Sequence, residues 1–113
     1  MPAAPRSARL VRILAADLGS RAGLRVDEID ELRLAVDEAF FALVDVAAPG
    51  TNLDVESRWD ERGVELRLAV DLAEEDLRVG ALAALLLAAL VDEHDHGVAD
   101  GRAAFHLRKL REQ

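Results

Sequence analysis

The spacing of apolar residues changes partway along this chain, and that change restricts its fold more than any other sequence feature. Between residues 7 and 47 apolar residues recur every three or four positions, which is typical of amphipathic helices. Between residues 53 and 70 they alternate with polar residues, which is typical of half-buried strands. A fold in which helices cover one face of a β-sheet contains both patterns of apolar residues. Because 113 residues is the size of one domain, we predict a single domain, residues 1–113.

Two helical segments are predicted in the first half of the chain. Ser7 is a typical N-cap for the first, and Gly19 or Gly23 ends it. Its predicted buried stripe consists of Leu10, Ile13, Leu14 and Leu18. The second segment starts at Asp27 as N-cap and ends before Pro49. Its predicted core face consists of Ile29, Leu32, Val36, Ala39, Phe40 and Leu43.

Two hairpins are predicted in the second half. The first turns at "DERG", where Gly63 is available for a positive φ. Its strands place one set of alternating residues toward the core: Leu53, Val55, Ser57 and Trp59, then Val64, Leu66, Leu68 and Val70. The second hairpin turns at Asp100-Gly101, with Ala103, Phe105 and Leu107 facing inward.

Between the hairpins lies "GALAALLLAALV", residues 80 to 91, a segment that is apolar almost all round. It is shorter than the ~20 residues that cross a bilayer. We therefore expect a helix buried between the sheet and another helix. The complete order predicts an α+β two-layer sandwich, with a mostly antiparallel sheet and helices on one face.

Composition and charge exclude several function classes. The chain has no cysteine, so it has neither disulfides nor thiol chemistry. Its net charge of −8 argues against nucleic-acid binding, which depends on neutralising phosphates. A protein partner with a basic face would be attracted instead. With 51% hydrophobic and 32% charged residues, a cytoplasmic protein with no membrane partner is expected.

Two stretches are similar to one protein family. "IDELRLAVDEAFFALVDVA" looks like that family's "IEDLKIAVSEACTNAVQHA". "ALAALLLAALVDEHDHGVADGRAAFHLRKL" looks like its closing "GGLGLYLIEALMDEVEV…GGTRVRLVK". The chain thus resembles the anti-sigma regulatory kinases, the RsbW-like proteins of the GHKL or Bergerat (histidine-kinase-like) ATPase fold. The resemblance implies a bacterial regulator of transcription in which the family's first strand is reduced or missing.

The chain departs from that family at its ATP site. By resemblance, Glu38 occupies the position of the catalytic base, but Ala42 replaces the magnesium-binding asparagine. Asp71 retains the adenine-contacting position, and only Gly80 remains of the phosphate-binding glycines. The segment that would form the ATP lid is almost absent. These departures imply a degenerate site with no cofactor, where ATP and magnesium bind only if the site survives. The alternative is a divergent ATP-dependent serine-protein kinase of the anti-sigma type.

The resemblance also implies protein partners. The family binds a sigma factor and is released by an anti-anti-sigma (STAS) protein. Its sigma contacts lie largely on the first helix, at positions corresponding to Arg12 and, one turn away, Arg9. A sheet edge left by a missing first strand would favour a homodimer or a strand-donating partner.

A zinc site is an alternative from a different class. His94 and His96 are expected on one face of a strand. Depending on hairpin register, His106 lies opposite them, which would give three imidazole ligands.

Overall fold

The computed structural model describes residues 1–73 and 76–112. A 3-10 turn, Pro5–Ser7, leads into the first helix. The three helices are α1 (Ala8–Arg21), α2 (Val26–Val46) and α3 (Ala81–Leu90). The four strands are β1 (Asp54–Asp60), β2 (Gly63–Asp71), β3 (Glu93–Ala99) and β4 (Arg102–Leu110). This is the predicted order of elements.

The strands form one antiparallel sheet in the order β1-β2-β4-β3, so the two hairpins meet through their second strands. The predicted inward residues of β2 and β4 are all buried, among them Leu66, Leu68 and Phe105. α1 and α2 pack on that face, whereas the opposite face bears mostly charged residues. The α+β sandwich predicted from the sequence is therefore confirmed as a class.

Both hairpin turns lie where the sequence predicts them. Asp100 and Gly101 have φ values of +53° and +74°, the positive values that a tight two-residue hairpin turn requires. At the first turn, the Asp60 carboxylate accepts hydrogen bonds from the N–H groups of Arg62 at 2.7 Å and Gly63 at 3.3 Å. Gly63 is needed there for space: a Cβ atom would lie 2.1 Å from the backbone oxygen of Lys109 on β4.

The predicted buried stripe of α1 is wrong at two positions. Leu10 and Ile13 are 55% and 54% exposed. Small residues form much of the actual buried stripe, which consists of Ala8, Val11, Ala15, Leu18 and Gly19. They allow α1 to approach α2 closely: a Cβ on Gly19 would lie 2.9 Å from the Ile29 side chain. Ser7 occupies the predicted N-cap position, but its side chain makes no capping hydrogen bond.

The start of α2 also differs from the prediction. Arg25 is the N-cap and Asp27 lies inside the first turn, where its charge is favourable for the helix dipole. The predicted core face is buried except for Ile29, which is partly buried.

A buried carboxylate fixes this end of α2. Glu28 is 1% exposed, and its oxygens accept hydrogen bonds from the N–H groups of Arg25 at 2.9 Å and Glu112 at 3.0 Å. Burial alone would raise the pKa of Glu28, but these two donors and the Arg25 guanidinium together hold that pKa below its ordinary value. Glu28 is therefore stabilised in its charged form and joins α2 to the end of the chain.

The burial of α3 is also smaller than predicted. Leu87 is buried, but Leu82 and Leu85 are 71% and 68% exposed, because no further layer covers the helix in the described chain. The Lys109 ammonium anchors the end of α3 by donating to the Leu90 backbone oxygen at 2.8 Å and to Glu31 at 3.1 Å. In the described residues no helix combines the length and hydrophobicity that crossing a bilayer needs.

The sheet edge at β1 is only partly covered. Residues 1–3 pair with the chain that enters β1: Ala3 N–H donates to Thr51 at 3.1 Å, and Leu53 N–H to Met1 at 2.7 Å. Further along, Ser57 and Trp59 pair with Leu66 and Val64 and so share the inward face, as predicted. Both are nevertheless exposed, Trp59 by 47%. The helices cover the centre of the sheet and leave this end of the edge strand in solvent.

Candidate functional site

Glu38 lies on the flank of α2 that faces α3. It is two helical turns from Glu31, on the same side of the helix, and Glu31 shares the Lys109 ammonium with the end of α3. α3 packs against α2, and the shared Lys109 contact places the end of α3 on the Glu31 side of that helix. Glu38 is partly buried there, and Ala42, one turn further on, is also partly buried. A methyl group thus occupies the position where the resemblance places a magnesium ligand.

Asp71 points to the other side of the sheet. Val70 faces the core, so the alternation of strand side chains directs Asp71 away from the helices. Its carboxylate accepts hydrogen bonds from Arg102 Nε at 2.9 Å and Thr51 Oγ1 at 3.3 Å. The same guanidinium binds Asp54 at 2.5 Å. Asp71 is therefore part of an ion-pair network on the outer sheet face, whereas Glu38 lies among the helices on the inner face.

Gly80 is exposed at the N-terminus of α3. Its φ of −64° and ψ of 159° are accessible to any residue, and a Cβ added there would meet no atom within 4 Å. The backbone at Gly80 therefore does not require glycine by its own conformation or packing.

Arg9 and Arg12 lie at the start of α1 but differ in their contacts. Arg12 Nε donates to Asp37 on α2 at 2.7 Å, so this arginine helps to join the two helices. Arg9 is exposed, beside the exposed side chains of Leu10 and Ile13. Arg9 is therefore more directly available to a partner than Arg12.

A shallow groove of about 420 Å³ runs beside this ion pair, between α1 and α2. It is lined by Arg12, Asp30, Arg33, Leu34 and Asp37. Leu34 is 56% exposed. We define the outer helix surface as Arg9, Leu10, Ile13 and the residues that line this groove. The sequence prediction missed Leu34 and Asp37, although their helical positions lie off the predicted core face of α2.

The structure separates the three histidines. His94 and His96 pair with Leu107 and Phe105 in the sheet register and share their inward face. The ring of His96 packs 5.3 Å from that of Phe105. His106 points to the outer face, 3.8 Å from Glu65. The register therefore contradicts the three-histidine zinc site, and residues 1–73 and 76–112 hold no cluster of three potential metal ligands.

No family model matches this chain, and no curated protein matches it either.

Proposed function

We propose that this protein is a regulatory protein-binding domain of the anti-sigma type, with a reduced Bergerat-type fold and no kinase activity. It binds a sigma factor, an anti-anti-sigma STAS protein, or both, in the bacterial cytoplasm. The observation that carries this proposal is the outer helix surface, where Leu10, Ile13 and Leu34 are more than half exposed. The resemblance of the chain to anti-sigma kinases supplies the class of partner.

The composition of the outer helix surface supports protein binding. Its exposed leucine and isoleucine side chains provide the apolar area from which most interface energy comes. Charged groups of both signs border them, so a partner is oriented by ion pairs at the rim. Among the described residues Arg9 makes no side-chain hydrogen bond or salt bridge, so its guanidinium can bind a carboxylate of the partner.

Three features support the absence of kinase activity. Phosphoryl transfer depends on positioning the phosphates and neutralising their charge with magnesium. Ala42 has no oxygen to bind the metal. Asp71 is held by Arg102 on the outer sheet face. Gly80 is the one glycine left where the related kinases have several, and its surroundings leave room for a side chain.

We expect no measurable heat when ATP and magnesium chloride are titrated into the protein in a calorimeter. Affinity in the micromolar range would contradict the proposal and favour the alternative, a divergent serine-protein kinase. The variant Ala42→Asn restores the side chain that binds magnesium in the related kinases. We do not expect it to restore ATP binding, because the other phosphate-binding glycines and the lid are also missing.

A charge reversal on α1 tests the outer helix surface. We expect Arg9→Glu to weaken binding of the partner at least tenfold, because it replaces an attractive charge and repels acidic groups. The wild-type protein, immobilised, is used to capture partners from an extract of the source cells. The affinity of the captured sigma factor or STAS protein for each variant is then measured by titration.

The matched control is Arg6→Glu, another exposed arginine near the start of α1, in the preceding 3-10 turn. Arg12→Glu is a poor probe, since it would place a second carboxylate beside Asp37 and strain the helix pair. Capture of neither partner class, or equal affinities for the Arg9→Glu variant and the wild type, would refute the proposal that the outer helix surface binds the partner.

A further inference from the structure

The exposed side of α3 consists only of alanine and leucine. Residues 81–90 include no polar side chain, although surface helices normally direct polar residues to solvent. Leu82, Leu85 and Leu86 are 71%, 68% and 37% exposed. We define the α3 face as the exposed residues of this helix: Ala81, Leu82, Leu85, Leu86, Ala88 and Ala89.

The rest of the fold holds α3 in this orientation. Leu87 is buried on the opposite side of the helix, and the Leu90 backbone oxygen accepts a hydrogen bond from the Lys109 ammonium at 2.8 Å. Rotating the helix to hide the α3 face would expose Leu87 and break that hydrogen bond. An exposed apolar surface on a fixed element is typical of an interaction site.

α2, the helix against which α3 packs, is strongly acidic. It carries seven acidic residues and one basic residue, Arg33. Five of the acidic residues form salt bridges: Asp27, Glu28, Asp30, Glu31 and Asp37. The other two, Glu38 and Asp45, make no side-chain hydrogen bond or salt bridge among the described residues. Their carboxylates can therefore bind a cation from outside the chain.

These two carboxylates lie on the α3 side of α2. Glu31, Glu38 and Asp45 follow one another at intervals of two helical turns, so they share one side of the helix. Glu31 shares the Lys109 ammonium with the end of α3, which identifies that side. Phe41 lies between Glu38 and Asp45 and is 41% exposed. An apolar surface on α3 thus has two unpaired carboxylates and an exposed aromatic ring beside it.

We propose that the α3 face binds an amphipathic helix of a partner protein, a helix with leucine-like residues along one side and lysine or arginine beside them. The apolar side of that helix packs on the α3 face, and its cations bind Glu38 and Asp45. Leu82, Leu85, Leu86 and Ala89 have the i, i+3, i+4, i+7 spacing with which one helix contacts another. The α3 face shares no residue with the outer helix surface, so this inference goes beyond the proposed function.

Charge favours this occupant over a second copy of the chain or an anionic membrane. Residues 76–93 contain the acidic residues Asp76, Asp92 and Glu93 and one basic residue, Arg78, which lies 3.9 Å from Asp76. A second copy would bring the same acidic groups and a net charge of −8 toward this surface. An anionic membrane is repelled for the same reason, whereas a basic helix is attracted.

A synthetic peptide tests the proposal. The probe is a dye-labelled helix of about 18 leucine and lysine residues, with the leucines along one side, and its binding is followed by fluorescence anisotropy. We expect a Kd of about 10 μM or lower, weakened by added salt. A matched peptide with glutamate in place of every lysine should bind at least tenfold more weakly. No binding of the lysine peptide at about 100 μM, or equal binding of both peptides, would overturn the proposal.

Substitutions on the protein locate the binding surface. We expect Leu85→Lys to weaken binding of the lysine peptide at least tenfold, because it removes apolar area and adds a repelling charge. Ile13→Lys is the matched control: it adds the same charge at an exposed apolar position of α1 and should have little effect. Arg9→Glu should not weaken binding either, which separates the α3 face from the outer helix surface. Circular dichroism checks that the variants are folded. Equal losses for Leu85→Lys and Ile13→Lys would contradict the assigned surface.

The two carboxylates have their own test. The double variant Glu38→Gln/Asp45→Asn is expected to weaken binding of the lysine peptide about fivefold, because it removes both unpaired charges. Glu56→Gln/Asp95→Asn removes the same net charge from exposed positions of the sheet and should have a smaller effect. Equal affinities for the two double variants would mean that overall charge, and not this part of α2, attracts the peptide, and would refute the role of Glu38 and Asp45.

Two further measurements test the other occupants. We expect Leu85→Lys to change neither the sedimentation equilibrium of the protein alone nor its co-sedimentation with phosphatidylglycerol vesicles. Self-association of the wild type that Leu85→Lys abolishes would assign the α3 face to a second copy instead. Vesicle binding that Leu85→Lys abolishes would assign it to a membrane.

Discussion

Replacing Gly63 with alanine is expected to lower the free energy of unfolding by about 3 kcal/mol. The added Cβ atom would lie 2.1 Å from the backbone oxygen of Lys109. The obstacle is backbone in a paired strand, which cannot move aside as a flexible side chain can. Relief of the clash must separate β2 from β4 at Gly63 and Leu110, where the two hairpins join. Urea denaturation of wild type and variant measures the difference.

Gly97→Ala provides the control for this prediction. Gly97 also lies in a strand, but a Cβ there would have no atom within 4 Å, and its φ is not in the positive range. Alanine at position 97 should be neutral or stabilise the fold slightly, because it restricts the unfolded chain. If the two variants have equal unfolding midpoints, space at Gly63 is not the constraint.

Replacing Glu28 with glutamine is expected to lower the free energy of unfolding by about 2 kcal/mol at neutral pH. The carboxylate satisfies two backbone donors, those of Arg25 and Glu112, whereas a glutamine side chain offers one oxygen and directs an NH₂ group toward the other donor. The site is buried, so water cannot replace the lost acceptor.

The effect of Glu28 depends on pH in a definite direction. Its pKa is lowered in the folded protein relative to the ordinary value of 4.5, so folding favours the charged form. The stability that this charge contributes is complete above pH 4.5 and is lost as the pH falls through the lower folded pKa. The difference between wild type and Glu28→Gln should therefore shrink in acid.

Denaturation midpoints at pH 7 and about pH 3 test this dependence. Glu56→Gln, at an exposed position of β1, serves as the control and should change stability little at either pH. A difference between wild type and Glu28→Gln that stays constant from neutral to acid pH would contradict the role assigned to the charge.

The order of elements was predictable because each segment carries its own hydrophobic period. In β2 every second residue from Val64 to Val70 is apolar, and all four are buried. The turn at Asp100-Gly101 was predictable for a similar reason, since its backbone conformation is readily accessible to few residue types. These are local signals, and they do not depend on what lies on the other side of the element.

Burial was less predictable where small residues make the contact. In α1 the prediction followed the large residues Leu10 and Ile13, but the helix packs through Ala8, Ala15 and Gly19. These small residues are buried because α1 approaches α2 closely. That approach depends on both helices and is not visible in the sequence of α1 alone. In α3 the difficulty is different. All of its residues are apolar, so the sequence does not distinguish the buried side of the helix from the exposed side.

The candidate site depends on three-dimensional relations that spacing alone does not provide. Asp71 and Glu38 are both acidic residues in well-predicted elements, yet they lie on opposite faces of the sheet. The separation of His106 from His94 likewise follows from the register of β3 and β4. The ion pair between Arg12 and Asp37 could not be predicted either, because it depends on how α1 and α2 are rotated relative to each other.

The strand order β1-β2-β4-β3 has a consequence for how the chain folds. Each hairpin closes across a short turn. Because closing a short loop costs little conformational entropy, the two strands of a hairpin can pair early. β2 and β4, by contrast, are far apart in the chain and pair only when the two halves come together. From this topology we expect the pairing of β2 with β4 to be the slow step of folding. Until it occurs, the inner edge of each half is unpaired and open to the same half of another molecule.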